Sequence, residues 1–148
     1  MKIKELGHLV LYVRNIERSA HFYETVLGWH RLPSPPHIPV ALFSGGRTHH
    51  ELLLIEVGED ATPIPQGHRI GLYHFGLKIG DTIDELKTAM HELETQGISY
   101  AGTDHTVTNS LYIADPDGNE IELYIDVPGI DWKNEPELLL RQARPLIV

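Results

Sequence analysis

The same order of predicted elements occurs twice in this chain, and this repeat constrains the fold more than any other feature. In each half, an apolar strand is followed by an amphipathic helix and then by three further strands. The first strands are predicted at residues 6–13 and 73–79, and the first helix at residues 16–27. One such half cannot cover its own sheet. We therefore predict an α+β fold built from two βαβββ modules.

The helix ends carry local signals that support this division. Asn15 is placed to cap the first helix, and Gly28 follows its last turn. Thr82 and Glu85 form a capping box at the start of the second helix, which Gly97 ends. The residues expected to face the sheets are Ile16, Ala20, Tyr23 and Leu27 in the first helix, and Ile83, Leu86, Met90 and Leu93 in the second.

The other strands are predicted from short apolar runs between turns rich in proline and glycine. They lie near residues 29–32, 41–44, 50–57, 99–100, 110–114 and 120–127, and a last helical segment is predicted at residues 138–142. The length of 148 residues suits one domain in which two modules share a core. We divide it into module 1 at 5–58, a linker at 59–69, module 2 at 70–128 and a C-terminal tail at 129–148.

Charge and composition exclude several classes of function. The formal net charge of −9 argues against a nucleic acid or an anionic membrane as partner. No apolar run approaches the roughly 18 residues of a membrane-spanning helix, and the first residues lack the apolar core of a secretory signal. The chain has no cysteine, so it has neither disulfides nor thiolate metal ligands. We expect a cytoplasmic protein.

Three predicted strands each carry a side chain able to bind a metal. Strand alternation puts His8, His74 and Glu122 opposite the apolar face of their strands. A lone strand histidine is usually structural, but two at equivalent positions of a repeat, with a carboxylate in a third strand, predict a metal site. Two imidazoles and one carboxylate leave open coordination positions, as in non-haem Fe(II) oxygenases. We predict that these three residues bind one divalent metal.

The chain resembles the vicinal oxygen chelate superfamily, which includes glyoxalase I, extradiol dioxygenases, fosfomycin-resistance enzymes and bleomycin-binding proteins. The resemblance covers residues 5 to about 128, and its most specific element is Asp-Pro-Asp-Gly-Asn-Glu-Ile-Glu-Leu-Tyr at 115–124. It implies a half-open mixed β-barrel of two βαβββ modules around one metal, with His8, His74 and Glu122 as ligands. A shared fold does not fix the reaction.

Further residues resemble the small catechol 2,3-dioxygenase-like members of this superfamily. The resemblance implies catalytic roles for His50, within His-His-Glu-Leu, for His105, and for Tyr112, ten residues before Glu122. Trp132, shortly after the last strand, matches the same group. The loop between His105 and Tyr112 is shorter than in the large two-domain enzymes. The implied activity is extradiol cleavage of a catechol-type aromatic diol by O2, with Fe(II), Mn(II) or another divalent metal, in a homodimer.

Two other functions remain open on the sequence. A glyoxalase-I-like isomerase or lyase needs a fourth ligand from the last strand of module 1, for which Glu51 and Glu56 are candidates. We predict that the apolar residues Leu53, Ile55 and Val57 pack under the helix of module 1. His50 and Leu52 then lie on the opposite face, which carries the site. Leu52 takes the position in module 1 that Glu122 takes in module 2. If this strand were shifted by one residue, Glu51 would face the site instead of His50. A metal-free, bleomycin-sequestering protein would not need the metal ligands, so their presence counts against it.

Overall fold

The computed structural model describes residues 1–148, which form two compact units, Met1–Pro65 and Gln66–Val148. The boundary between the units lies within the linker predicted at residues 59–69. The strands form two sheets, one in each unit, and each unit has one α-helix. The predicted α+β class is therefore confirmed. None of the helices has the length and apolar character that crossing a bilayer requires.

The first unit has the predicted βαβββ order. Its elements are β1 (Leu9–Val13), α1 (Ile16–Thr25), β2 (Arg31–Leu32), β3 (Val40–Phe43) and β4 (Leu52–Glu56). The strands lie in the order β1-β4-β3-β2, with β1 parallel to β4 and the other neighbours antiparallel. The predicted strand bounds differ from the observed ones by up to three residues, which is the usual error at strand ends.

Helix α1 begins where its cap was predicted. The Asn15 side chain accepts a hydrogen bond of 2.9 Å from the backbone N–H of Arg18. The helix ends at Thr25, so Leu27 lies beyond it and does not belong to its buried stripe. The buried helix residues are Ser19, Ala20, Phe22 and Tyr23. The side chain of Tyr23 packs in the core of this unit against Phe43 of β3, with ring centroids 5.7 Å apart.

The second unit repeats this order and adds a short strand from the tail. Its elements are β5 (His74–Gly80), α2 (Ile83–Thr95), β6 (Ala101–Asp104), β7 (Thr108–Ala114), β8 (Glu120–Asp126), a 3₁₀ helix (Pro136–Leu140) and β9 (Arg144–Pro145). The strand order is β5-β8-β7-β6-β9, with β5 parallel to β8. The strand predicted at 99–100 lies at 101–104 instead. The predicted tail helix is a 3₁₀ helix two residues earlier.

The capping box of α2 is confirmed. The Thr82 hydroxyl accepts from the backbone N–H of Glu85, and the Glu85 carboxylate accepts from the backbone N–H of Thr82 at 2.9 Å. Of the predicted stripe, only Leu86 and Leu93 are buried. Helix α2 packs near β5 and β8, where Ile121, Leu123 and Ile125 form the apolar face of β8.

The predicted orientation of β4 is wrong by one residue. We expected Leu53, Ile55 and Val57 on the packed face, but Leu52 and Leu54 are fully buried and Val57 is 45% exposed. Residues 52–55 are all apolar, so alternation cannot distinguish the two faces. A register error of one residue exchanges the faces of the whole strand.

Pairing with β1 explains the observed orientation. Leu52 lies opposite Leu9, and Leu54 lies opposite Leu11, which is itself buried. Paired residues of neighbouring strands point to the same face of a sheet. The β1 strand therefore sets which leucines of β4 enter the core, and Leu52 is not the counterpart of Glu122. The alternation of β4 also does not turn His50 towards the site, because His50 lies before the strand.

This register can be tested with two neighbouring alanine substitutions. We expect Leu52→Ala to lower the free energy of unfolding by about 2–5 kcal/mol, because it leaves a cavity in the core. Leu53→Ala removes a half-buried side chain and should cost about 1 kcal/mol or less. Urea denaturation followed by circular dichroism measures both. If Leu53→Ala lowered the free energy of unfolding more than Leu52→Ala did, the orientation of β4 expected from the sequence would be the correct one.

Candidate metal centre

The parallel pairing of β5 with β8 places a histidine between two carboxylates. His74 lies opposite Glu120 in the ladder, and Gly76 lies opposite Glu122. The His74 Nε2 atom is 3.2 Å from Glu122 Oε2, and its Nδ1 atom is 3.4 Å from Glu120 Oε1. All three side chains lie on the face of the sheet opposite the apolar residues of β8.

Glu122 is also held from the neighbouring strand. Strand β7 pairs with β8 so that Tyr112 lies opposite Glu122 and Ser110 lies opposite Tyr124. The fully buried Ser110 donates a hydrogen bond of 2.6 Å from its hydroxyl to Glu122 Oε1. One oxygen of this carboxylate is thus fixed by Ser110, while the other faces His74.

The donor atoms of His74 and Glu122 fit a divalent metal. Two atoms bonded to one ion at about 2.1 Å along perpendicular directions lie about 3 Å apart, close to the distance found here. His74 Nδ1 and Glu120 Oε1 are buried and lack a hydrogen-bond partner. A metal-bound imidazole commonly directs its other ring nitrogen to a carboxylate, and the carboxylate of Glu120 lies 3.4 Å from His74 Nδ1. No group of three or more His, Cys, Asp or Glu side chains is gathered around a single ion position.

Tyr112 and His105 lie beside this pair. The Tyr112 hydroxyl is 2.7 Å from His105 Nε2, and the Tyr112 ring meets the His74 ring edge-on at 5.5 Å between centroids. Burial, and then the negative charge of Glu122, raise the pKa of the Tyr112 phenol well above its ordinary value. The phenol therefore stays protonated at neutral pH and acts as a hydrogen-bond donor. Four of the predicted site residues thus come together within the second unit.

The other two predicted site residues come together in the first unit. His8 directly precedes β1 and His50 precedes β4, and their rings are 4.6 Å apart between centroids. His50 Nδ1 also lies 2.6 Å from His49 Nδ1. Burial, and then the neighbouring His49 and His8, lower the pKa of His50. This lowered pKa favours the neutral form of the His50 imidazole.

The two carboxylates proposed as a fourth metal ligand are bound by backbone groups of their own unit. Glu51 accepts hydrogen bonds from the backbone N–H of Gly45 at 2.8 Å and of Thr48 at 3.1 Å. Burial opposes this charge, but these hydrogen bonds lower the pKa of Glu51 overall. Glu56 accepts from the backbone N–H of Ile16 at 2.7 Å and so caps α1. Both groups therefore have structural partners.

A cavity of 610 Å³ lies next to Glu122 in the second unit. It is lined by residues of β7 and β8, of the turn before β7 and of the tail after β8. The lining residues are Val107, Thr108, Glu122, Tyr124, Asp126, Val127, Ile130, Trp132 and Leu139. Its volume is within the range of about 300–1,000 Å³ that is typical of small-molecule sites.

The turn that carries His105 has an unusual backbone. Thr106 has a φ of 72°, which is rare for a β-branched residue, and its buried hydroxyl lacks a hydrogen-bond partner. Its backbone N–H donates to Asp104 Oδ1 at 2.7 Å, and the backbone N–H of His105 donates to the Thr108 carbonyl at 2.9 Å. These bonds hold the backbone of the turn that carries His105.

Sequence reasoning missed the supporting residues of this site. No role was predicted for Ser110, and the contact of Glu120 with His74 was not foreseen. Both follow from strand register, so a correct pairing of β5, β7 and β8 would have revealed them. No sequence signal indicates the backbone conformation of Thr106.

The fold and these residues agree with the family to which the chain belongs. A sequence model of the Glyoxalase/Bleomycin resistance protein/Dioxygenase superfamily matches residues 5–123. The chain is therefore a member of this superfamily, which includes metal-dependent enzymes of several reaction types.

Individual relatives are similar over most of this chain. It is 36% identical over 132 residues to a catechol-2,3-dioxygenase of Bacillus subtilis (strain 168), covering 89% of this chain and 45% of that protein. It is 31% identical over 125 residues to biphenyl-2,3-diol 1,2-dioxygenase 3 of Rhodococcus globerulus, covering 82% of this chain and 63% of that protein. The chain thus spans about half to two thirds of the length of these relatives.

A solved structure supports the fold. The lactoylglutathione lyase of Agrobacterium tumefaciens superposes with a TM-score of 0.63 at 23% identity, covering 84% of this chain and 96% of that one. At this identity the likeness concerns the fold alone.

The strained turn gives a stability prediction. Thr106→Gly should raise the free energy of unfolding by about 1 kcal/mol, because glycine adopts a positive φ without strain and removes an unpaired hydroxyl. Thr103→Gly, in β6 and without a positive φ, should lower it by about 1 kcal/mol. Thermal and urea unfolding of the two variants measure this. A Thr106→Gly protein less stable than the parent would show that the turn is not strained.

Proposed function

We propose that this chain is an extradiol dioxygenase that cleaves a catechol-type aromatic diol with O2 and depends on a divalent metal, Fe(II) or Mn(II). The observation that carries the proposal is the His74–Glu122 pair with Tyr112 and His105 directly beside it. Two relatives at 31–36% identity are named as dioxygenases of aromatic diols, which supports this reaction over others of the superfamily.

In this proposal His74 and Glu122 bind the metal, and His8 is the third ligand. The assignment of His8 rests on its position at the start of the first strand of its module, which matches that of His74, and on the resemblance to the superfamily. When bound, the metal would supply Lewis acidity towards both diol oxygens and a site for O2. Ser110 and Glu120 would fix the orientation of the two ligands in the second unit.

The protein's own groups would handle the protons. A diol must lose protons to bind through both oxygens, which requires a base near the metal. We assign this role to His50, which carries a neutral imidazole. The protonated Tyr112 phenol is suited to donate a hydrogen bond to a substrate oxygen, and His105 orients that phenol through its 2.7 Å contact.

The alternatives have weaker support. An isomerase or lyase of the glyoxalase I type needs a fourth protein ligand, and both Glu51 and Glu56 have backbone partners instead. A metal-free binding protein has no use for the His74–Glu122 pair. As the resemblance implies, we further propose a cytoplasmic homodimer that acts in aromatic catabolism.

The proposed reaction is tested by loading the protein with Fe(II) without oxygen and then adding O2 and a panel of catechols. We expect a yellow ring-cleavage product and uptake of one O2 for each diol consumed. Glu122→Gln should lose both metal and activity but keep its fold, since the side chain lies opposite the core face. Glu92→Gln, on the exposed face of α2, serves as the control. Iron-loaded protein that consumes no O2 with any catechol would refute the proposal.

The role of Tyr112 is tested separately. Tyr112→Phe should lower turnover by roughly 10²–10⁴-fold, the range for a lost acid–base group, with the metal content unchanged because the phenol is not a ligand. Tyr100→Phe removes a comparable hydroxyl, which donates to Glu94 away from this site, and should leave turnover unchanged. Steady-state kinetics and metal analysis of both variants provide the measurement. Full activity of Tyr112→Phe would show that other groups orient the substrate.

A further inference from the structure

The turn between β6 and β7 carries His105, and one carboxylate holds its backbone. Asp104, the last residue of β6, accepts a hydrogen bond of 2.7 Å at Oδ1 from the backbone N–H of Thr106. The backbone N–H of His105 donates to the Thr108 carbonyl at 2.9 Å and closes the turn. Both amides are thus paired, and the partner of the Thr106 amide is a side chain.

The conformation of Thr106 needs this partner. Its φ of 72° is unfavourable for a β-branched residue and persists only where the surrounding contacts favour it. The Thr106 hydroxyl gives no such support, because it is buried without a hydrogen-bond partner. A hydrogen bond from an amide to a charged carboxylate is among the stronger ones in proteins. Without Asp104, we expect Thr106 to return to a negative φ.

Such a change would act on the neighbouring His105. The peptide unit between His105 and Thr106 is planar, so a new φ at Thr106 rotates the plane that ends at the His105 backbone. The His105 ring is placed by this backbone, and its Nε2 atom lies 2.7 Å from the Tyr112 hydroxyl. A displacement of about 1 Å would lengthen this contact beyond the range of a hydrogen bond.

The tail holds the other oxygen of Asp104. Strand β9 pairs with β6 so that Arg144 lies opposite Asp104, and the guanidinium of Arg144 is 3.2 Å from Asp104 Oδ2. An exposed ion pair contributes little by itself. Here the strand is also held by Leu146, whose backbone N–H donates to the Gly102 carbonyl at 3.3 Å. The carboxylate of Asp104 therefore joins the tail to the turn.

We propose that Asp104 is a positioning residue for His105, supported by Arg144 from the tail. Asp104 keeps Thr106 at its positive φ and so keeps the His105 ring at hydrogen-bond distance from Tyr112. The effect on catalysis rests on the proposed function, in which Tyr112 donates a hydrogen bond to a substrate oxygen. The effect on the His105 ring does not.

The test observes the His105 ring directly, without substrate. Long-range proton–nitrogen NMR spectra of the full chain, recorded without paramagnetic metal, report the hydrogen bond at His105 Nε2. Tyr112→Phe gives the reference shift for its loss. We expect Asp104→Ala to move the Nε2 signal about as far. Asp104→Asn keeps an oxygen that can accept from the Thr106 N–H, so it should retain most of the parent shift.

Three further variants separate positioning through the backbone from a loss of charge. Adding Thr106→Gly to Asp104→Ala should restore part of the parent signal, because glycine adopts a positive φ without strain. Arg144→Gln should move the signal in the same direction by a smaller amount, and it decides the test where Asp104→Ala does not fold. Arg18→Gln, which removes an exposed ion pair with Glu59 in the first unit, is the matched control and should leave the signal unchanged.

Kinetics of the iron-loaded protein test the catalytic part. Asp104→Ala should lower kcat with a catechol by about 10- to 100-fold, the scale of a small misplacement at a reacting centre, with KM nearly unchanged. A shifted signal with unchanged kcat would overturn this part.

The spectra also separate the inference from the proposed function. An unshifted His105 signal in folded Asp104→Ala would overturn the positioning role, whether or not the protein cleaves catechols. A shifted signal in a protein that cleaves no catechol would support the positioning role and overturn the dioxygenase activity.

Discussion

The parallel pairing of β5 with β8 is the constraint on which the rest of the site depends. It places His74 between Glu120 and Glu122 on one face of the sheet, while Ile121 and Leu123 fill the core on the other. A shift of β8 by one residue would turn the carboxylates into the core and expose the apolar residues. The packing that stabilises the second unit therefore also fixes the geometry of its donor atoms. Ser110 on β7 adds to this by holding one oxygen of Glu122.

Features that depend on local sequence could be predicted well. The repeat of βαβββ order, the Asn15 cap and the capping box of Thr82 and Glu85 are all present, because each is determined by residues a few positions apart. The face of β4 could not be predicted, because residues 52–55 are uniformly apolar and the choice is made by pairing with β1. The short strand β9 was missed for the same reason, since its only partner is β6, about 40 residues earlier.

The candidate site shows the same difference between features set by local sequence and features set by strand pairing. Motif resemblance indicated His74, Glu122, His105 and Tyr112, and these side chains lie together in the second unit. The residues that orient them, above all Ser110 and Glu120, are defined only by strand register and carried no signal of their own. Sequence thus pointed to the candidate site residues, and the structure added the groups that hold them.

The most direct test of this account is the position of the metal. A crystal of the Mn(II)-loaded protein, with anomalous diffraction measured at the manganese edge, locates the ion independently of its ligands. We predict one ion within about 2.0–2.3 Å of His74 Nε2 and Glu122 Oε2, with His8 as the third protein ligand. An ion bound elsewhere, or one bound without Glu122, would contradict it.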